Sequence, residues 1–154
     1  MAWIRAMGSA AEPGKRILYK DGTQLVSFES PGSYTAPGET LIPSTFEADR
    51  IHVQTTSNTV SVVGTVTNID VTDYNVLHVI ARRNSGSSVG CFAAIGSSKN
   101  VPSFDARITV VNSGTSYTEF ALDISGYTGN KYIYLATSAY SMDVDVKEIW
   151  LSET

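Results

Sequence analysis

The last forty residues of the chain alternate short strand-like runs with compact turns. Runs at Tyr117–Ile124, Lys131–Thr137 and Val144–Leu151 are rich in β-branched and aromatic residues, and short segments containing Ser, Gly and Asn separate them. Such runs favour an antiparallel sheet. Similar runs recur from Phe46 onward, so about nine strands are predicted, and no stretch has the apolar spacing of an amphipathic helix. The pattern predicts an all-β, antiparallel β-sandwich.

Size and charge restrict the class of protein further. The chain has 154 residues, of which 42% are hydrophobic and 17% are charged, as expected for one globular domain. Its net charge of −4, with no basic stretch, argues against a nucleic-acid partner. The first apolar run is too short for a signal peptide, and no later run could cross a bilayer. We therefore expect cytoplasmic synthesis without membrane insertion.

Residues 1–43 differ from the rest of the chain. Three Pro-Gly pairs interrupt this segment, which predicts an N-terminal extended arm ahead of a sandwich domain at 44–154. Within the arm, Lys20-Asp21-Gly22-Thr23 supplies an Asp-Gly turn, so the flanking sequences RILY and QLVSF are expected to form a short hairpin. Trp3 and Ile4 precede any predicted core, and they either cap it or dock on another subunit.

The four apolar residues of the last run do not share one parity: Val144 and Val146 face one side, whereas Ile149 and Leu151 face the other. A bulge near Lys147-Glu148 would turn all four toward the core. The alternative is that both faces of the strand are covered there. In either case Trp150 lies opposite the core, where it is partly exposed or roofed by the arm.

Sequence motifs of catalysis find little support. Residues 86–90 match the G-x-S-x-G pattern of hydrolases, which requires a strand-to-helix turn. Here the motif joins two predicted strands, and both histidines, His52 and His78, precede its serine, contrary to that family's triad order. Neither histidine has a partner at metal-ligand spacing. We interpret the motif as a hairpin loop, the histidines as structural, and the chain as not an enzyme.

Carboxylate pairs offer a weak metal candidate. Asp143 and Asp145 lie near the end of a predicted strand, and oxygen ligands of this kind can hold a structural calcium ion. Solvated strand ends are the favoured interpretation, and no other cofactor is expected. Glycoside hydrolysis would require two acids that face one cleft, which no spacing in the chain indicates.

Aromatic residues form the strongest candidate for a contact surface. Tyr132 and Tyr134 alternate with Ile133 and Leu135, so one face of that strand presents two phenol rings. Cross-strand packing, a subunit interface and a ligand platform all remain open. The candidate ligand-binding residues are Tyr132, Tyr134, Tyr140 and Trp150.

The sequence YTEFALDISGYTGNKYIYLAT, leading into VDVKEIWLSE, resembles the closing strands of galactose-binding-like jelly rolls, the fold shared by many carbohydrate-binding modules. The resemblance covers 46–151 in architecture and is most specific in the last third. It implies a jelly-roll sandwich, a cell-surface glycan as partner, and a ligand site either on loops at one end or on a concave sheet face. Many such modules also hold a structural calcium ion.

The opening MAWIRAMG, followed by RILYKDG, resembles the N-termini of small phage or prophage tail-associated proteins of gut Firmicutes. This resemblance implies a place in a virion, other tail or surface proteins as partners, and a homo-oligomer. The leading hypothesis is a non-catalytic accessory or binding domain of a tail or surface structure that recognises carbohydrate. The alternatives are a purely structural virion or decoration protein with no ligand, and a glycoside-acting enzyme.

Overall fold

A computed structural model describes residues 12–110 and 115–154, which form strands and turns without a helix. The strands are β1 Lys15–Lys20, β2 Thr23–Gln24, β3 Phe28–Glu29, β4 Thr40–Leu41, β5 Thr45–Phe46, β6 Ile51–Thr55, β7 Thr59–Val60, β8 Val62–Thr65, β9 Ile69–Asp70, β10 Val76–Gly86, β11 Cys91–Gly96, β12 Ala106–Thr109, β13 Thr118–Asp123, β14 Asn130–Thr137 and β15 Met142–Ser152. No helix in these residues could span a membrane. The predicted all-β class is confirmed.

Two antiparallel sheets form the sandwich. The first, here called the terminal sheet, has the strand order β13-β10-β15-β1-β2, with β6 beside the first half of β15 and β5 beside β6. The second sheet has the order β12-β11-β14-β8-β3, with β9 beside β14. Strands β4 and β7 form a separate parallel pair. The predicted antiparallel sandwich is confirmed.

The main core lies between the two sheets and follows the alternation of each strand. Val79 and Ile149 enter it from the terminal sheet, and Ala93 and Ile133 enter it from the second sheet. Cys91 is fully buried in the same core, and burial raises the pKa of its thiol to about 12. The thiol is therefore protonated and unreactive at neutral pH.

A β-bulge in β15 resolves the parity of the last strand. Strand β10 pairs Ile80 with Glu148 and the next residue, Ala81, with Val146, so Lys147 is the extra residue. The predicted bulge is confirmed, because the four apolar residues of mismatched parity all reach the core: Val144, Val146, Ile149 and Leu151. Lys147 itself points to solvent.

The described part of the N-terminal segment is integral to the sandwich. The predicted hairpin is present: β1 and β2 pair antiparallel across Asp21 and Gly22, which both adopt a positive φ, of 47° and 85°. However, β1 also lies along β15, and Leu18 and Tyr19 are buried in the main core. Residues 12–43 therefore do not form an arm ahead of the sandwich, because the first and last strands complete one sheet together. The predicted contacts of Trp3 and Ile4 lie outside the described residues.

Deleting Lys147 should unfold the domain or destabilise it severely. Without the extra residue, one half of β15 must turn its inward side chains to solvent. We expect the free energy of unfolding to fall by more than about 4 kcal/mol, measured by urea denaturation followed by tryptophan fluorescence. The control is Lys147→Ala, which keeps the chain length and should change stability by no more than about 0.5 kcal/mol. A stable deletion variant would contradict the bulge assignment.

Candidate functional site

The outer face of the second sheet carries a second, smaller apolar cluster. In β14, Ile133 and Leu135 point into the main core, whereas Tyr134 and Ala136 belong to the outer cluster, with Tyr132 packed against it. The alternation predicted for this strand is confirmed. This face is not open along its whole length, because other parts of the chain cross it.

Tyr34 covers the middle of the outer face. Its ring lies 5.6 Å from that of Tyr134 and 6.3 Å from that of Tyr132. Its hydroxyl donates a hydrogen bond to the backbone carbonyl of Thr65, at 3.0 Å, and burial raises the pKa of this hydroxyl. A side chain at Gly64 would overlap the Tyr34 ring, so the ring packs directly against the backbone at this glycine.

Two segments join over this face, residues 31–42 and 99–104, here called the belt. Thr35 and Asn100 form a parallel bridge. The Thr35 amide donates to the Lys99 carbonyl at 2.9 Å, and the Val101 amide donates to the Thr35 carbonyl at 2.7 Å. The segments therefore hold each other in place across a large separation in sequence.

Lys99 fixes the belt to the sheet below. Its ammonium group donates to a carboxylate oxygen of Glu29 at 2.5 Å and to the hydroxyl of Ser33 at 2.8 Å. The same group lies 5.4 Å from the centre of the Tyr34 ring and 5.3 Å from that of Tyr132. Such contacts between a cation and aromatic rings are stabilising.

Beside the belt, the outer face opens into a pocket of about 220 Å³. Val62, Ala136 and Phe92 form its floor and are direct neighbours, because Ala136 pairs with Val62 on one side and with Phe92 on the other. The belt and the sheet edges supply the walls: Ala36, Pro37, Glu39, Val60, Val101, Pro102, Phe104, Arg107, Thr137, Ser138 and Ala139. The pocket is mostly apolar with a few polar groups, as is typical of small-molecule sites.

On one side of the pocket, a cation lies over two aromatic rings. The Arg107 guanidinium lies 4.4 Å from the centre of the Phe92 ring and 5.1 Å from that of Phe104. Within residues 12–110 and 115–154, Arg107 forms no salt bridge, and neither does Glu39 on the opposite wall. The pocket therefore offers guanidinium donors on one side and a carboxylate acceptor on the other.

The structure does not bring the four predicted ligand-binding residues together. Tyr132 is half-buried beneath Lys99, and Tyr134 is only 1% exposed, because its ring packs against Tyr34 and stacks on Phe104 at 5.7 Å. Tyr140 is 51% exposed and lies in the turn after β14. As placed here, Tyr134 supports the belt and does not form an open ligand platform.

Trp150 lies on the outer face of the terminal sheet, on the other side of the sandwich. Its ring stacks on His78 with a centroid distance of 4.6 Å and an angle of 1°, and the Lys15 ammonium covers it at 4.7 Å. The roof predicted for Trp150 is therefore provided by β1. His78 also bonds to Ser152 and Glu119, both at 2.7 Å, as expected for a structural histidine.

The calcium candidates Asp143 and Asp145 lie close to His52 on the same outer face. Asp145 is 2% exposed and accepts hydrogen bonds from Arg82 at 2.8 and 3.0 Å and from His52 at 2.8 Å. The guanidinium of Arg50 also lies close to this carboxylate, at 3.2 Å. Because two arginines already neutralise Asp145 and would repel a cation, the cluster is an ion-pair network and not the calcium site considered from the sequence.

Sequence reasoning missed the pocket residues Phe92, Phe104, Arg107 and Glu39. One signal was available for Phe92, because Cys91 and Ala93 on either side of it face the core. A large ring at an outward position, opposite the small Ala136, indicates a covered or functional outer face. Nothing in the local sequence indicated that the other three would surround it.

No family model matches the chain, and no curated protein matches it. Among solved structures, a family 29 carbohydrate-binding module from Piromyces equi is similar, with a TM-score of 0.56 and 10% identity over 91% of this chain and 90% of that one. A family 11 module from Clostridium thermocellum, in complex with a β-1,3-1,4-mixed-linked tetrasaccharide, is similar with a TM-score of 0.55 and 16% identity over 94% and 97%. At these identities the comparison shows a shared fold, the β-sandwich of carbohydrate-binding modules.

Replacing Gly64 with alanine should loosen the belt. The new Cβ would meet Tyr34 and the Cβ of Tyr134, neither of which can move without breaking buried contacts. We expect the free energy of unfolding to fall by about 1–3 kcal/mol, measured by urea denaturation. Gly126→Ala is the matched control, since open space surrounds that position, and it should be neutral or slightly stabilising. Equal changes in the free energy of unfolding for the two substitutions would contradict the close packing of Tyr34 against Gly64.

Asp145→Asn should remove a pH-dependent contribution to stability. Burial alone would raise the pKa of Asp145, but hydrogen bonds from His52 and Arg82 outweigh it and hold the pKa below the ordinary value of 3.8. The carboxylate therefore stabilises the folded state above about pH 4, and this contribution is lost as the pH falls through the lowered pKa. At neutral pH we expect the substitution to lower the free energy of unfolding by about 1.5–3 kcal/mol.

The measurement is the unfolding free energy of the native chain and the variant between neutral and acidic pH. The difference between them should shrink toward low pH. Asp143→Asn serves as the control, because its remaining amide oxygen can still accept the hydrogen bond from Asn84. A difference that does not change with pH would contradict the role given to the Asp145 charge.

Proposed function

We propose that this chain is a non-catalytic carbohydrate-binding domain whose glycan site is the pocket on the outer face of the second sheet. The observation that carries the proposal is the Arg107 guanidinium, which lies over Phe92 of the apolar floor and Phe104 of the wall, opposite Glu39. A sugar ring presents apolar C–H surface together with hydroxyl groups. The pocket supplies surfaces suited to both.

Each group has a distinct part in this proposal. The ring of Phe92 offers a flat apolar surface that a sugar can contact, and Arg107 donates hydrogen bonds to ring or hydroxyl oxygens. Glu39 accepts hydrogen bonds from hydroxyl groups on the other side. Because Arg107 is held against aromatic rings, it loses little conformational freedom when a ligand binds.

The shared fold supports binding, and the composition of the pocket supports binding without hydrolysis. The sandwich is that of two carbohydrate-binding modules, one of which is in complex with a tetrasaccharide. Most glycoside hydrolases use two carboxyl groups that flank the scissile bond. Of the described residues that line the pocket, only Glu39 carries a carboxylate. This favours the accessory-domain hypothesis over a glycoside-acting enzyme.

The biological setting is part of the proposal. We place the domain in a phage or prophage tail or surface structure, on the resemblance of MAWIRAMG, which lies outside the described residues, and of RILYKDG. In a homo-oligomer, several copies of the pocket would engage a cell-surface glycan together, and avidity would compensate for weak individual sites. A structural virion or decoration protein without a ligand is the competing candidate.

Arg107→Ala and Phe92→Ala should each weaken glycan binding by tenfold or more, a loss of about 1.4 kcal/mol. The first substitution removes the donors of the pocket and the second removes its aromatic surface. The measurement is binding of labelled protein to an array of bacterial and plant glycans, with affinities of the positives determined by titration. Arg16→Ala, an exposed arginine on β1 in the opposite sheet, is the matched control and should bind like the native chain.

Unfolding curves must first show that all variants are folded. Saturable binding that survives both pocket substitutions would move the site elsewhere on the domain. The absence of binding to any glycan on the array would contradict the proposed function and favour the structural virion protein.

A further inference from the structure

The belt fills the outer face on one side of the pocket. A second row of paired residues lies next to the pocket floor: Gly64, Tyr134 and Ala94. Each is two residues away from a floor residue on the same strand. Tyr34 sits over Gly64, and Phe104 stacks on Tyr134, so this row is covered. A ligand in the pocket therefore cannot continue along the strands in that direction.

The pocket is also walled on its two sides. Beside β8, the belt is anchored because β4 pairs with β7 and the Ile42 amide donates to the Val60 carbonyl at 2.9 Å. This anchoring places Pro37 and Glu39 along the pocket edge. On the β12 side, Arg107 lies across the floor residue Phe92. The remaining side is bordered by the short residues at 137–139, at the end of β14.

The belt, which supplies part of the walls, is held in place by buried and charged contacts. The Tyr34 hydroxyl is bonded to Thr65 in the interior, and Thr35 is paired with 99–101 through two backbone hydrogen bonds. Lys99 ties the two segments of the belt to Glu29, where each partner is only about one-fifth exposed. Opening the closed side would require breaking all of these contacts together.

The size of the pocket agrees with its closed shape. Its volume of about 220 Å³ lies below the roughly 300–1,000 Å³ that is usual for pockets enclosing drug-sized ligands. This space suits one or two sugar rings. A polysaccharide that binds through an internal stretch needs a groove with two open ends, which the belt does not leave.

We propose that the pocket receives the end of a glycan chain, or the terminal sugar of a side branch, and excludes internal stretches of a polysaccharide. This inference rests on the proposed function, because it specifies which part of a glycan occupies that site. The belt is then the element that determines specificity, since it converts an outer sheet face into a site closed on three sides.

Partial hydrolysis of polysaccharides tests this inference across many candidate glycans at once. Hydrolysis increases the number of chain ends while the mass of sugar stays the same. A panel of bacterial and plant polysaccharides is prepared, each intact and after graded partial hydrolysis, and binding of the native chain is titrated at equal sugar mass. For unbranched glycans, we expect the apparent affinity per unit mass to rise in proportion to the number of chain ends, so that doubling the ends doubles it.

Arg107→Ala and Arg16→Ala are measured on the same series. The rise with hydrolysis should be lost in the Arg107 variant and kept in the Arg16 variant, which assigns end recognition to this pocket. An unbranched glycan bound as tightly per unit mass when intact as after hydrolysis would overturn the inference and leave the proposed function standing. The absence of binding to every intact and hydrolysed sample would overturn the proposed function, and the inference with it.

Discussion

The position of β15 in the middle of the terminal sheet determines how the rest of the molecule is arranged. This strand pairs with β10 along one edge, and with β6 and then β1 along the other. Its bulge at Lys147 keeps both halves facing the core, and the two halves bury five apolar side chains there. Because the first and last strands lie side by side, the sandwich forms only when both ends of the described chain are in place. Residues 12–43 are consequently part of the fold.

The outer face of the same strand is occupied by contacts within the chain. Asp145 lies directly between Arg82 on β10 and His52 on β6, and Trp150 lies beside His78. In the first case a buried carboxylate is balanced by two guanidinium groups and a histidine, and in the second an aromatic ring is covered by a histidine and a lysine. Most of these groups are paired with one another, so this face offers few unused hydrogen-bonding groups to a ligand.

The second sheet has the opposite character. Small residues at its outward positions, among them Gly64, Ala94 and Ala136, leave depressions on the face. The belt fills one depression with Tyr34 and leaves the neighbouring one open beside Phe92 and Arg107. The proposed glycan site thus lies on the outer face of the second sheet, whereas the outer face of the terminal sheet carries contacts that stabilise the fold. A change in the belt would alter the shape of the pocket without disturbing the main core, whereas a change in β15 would affect the whole domain.

Local sequence patterns predicted the strands, the Asp-Gly hairpin, the alternation of β14 and the bulge in β15, because each depends on residues close together in the chain. The same patterns predicted that Tyr132 and Tyr134 share a face, but not that Tyr34, a hundred residues earlier, covers Tyr134. They likewise gave no sign that Arg107 would lie over Phe92, or that Arg50 and Arg82 would converge on Asp145. Periodicity along one strand specifies which side chains point inward. Which outward side chains remain accessible depends on what other strands and loops lie across them, and only the tertiary structure decides that.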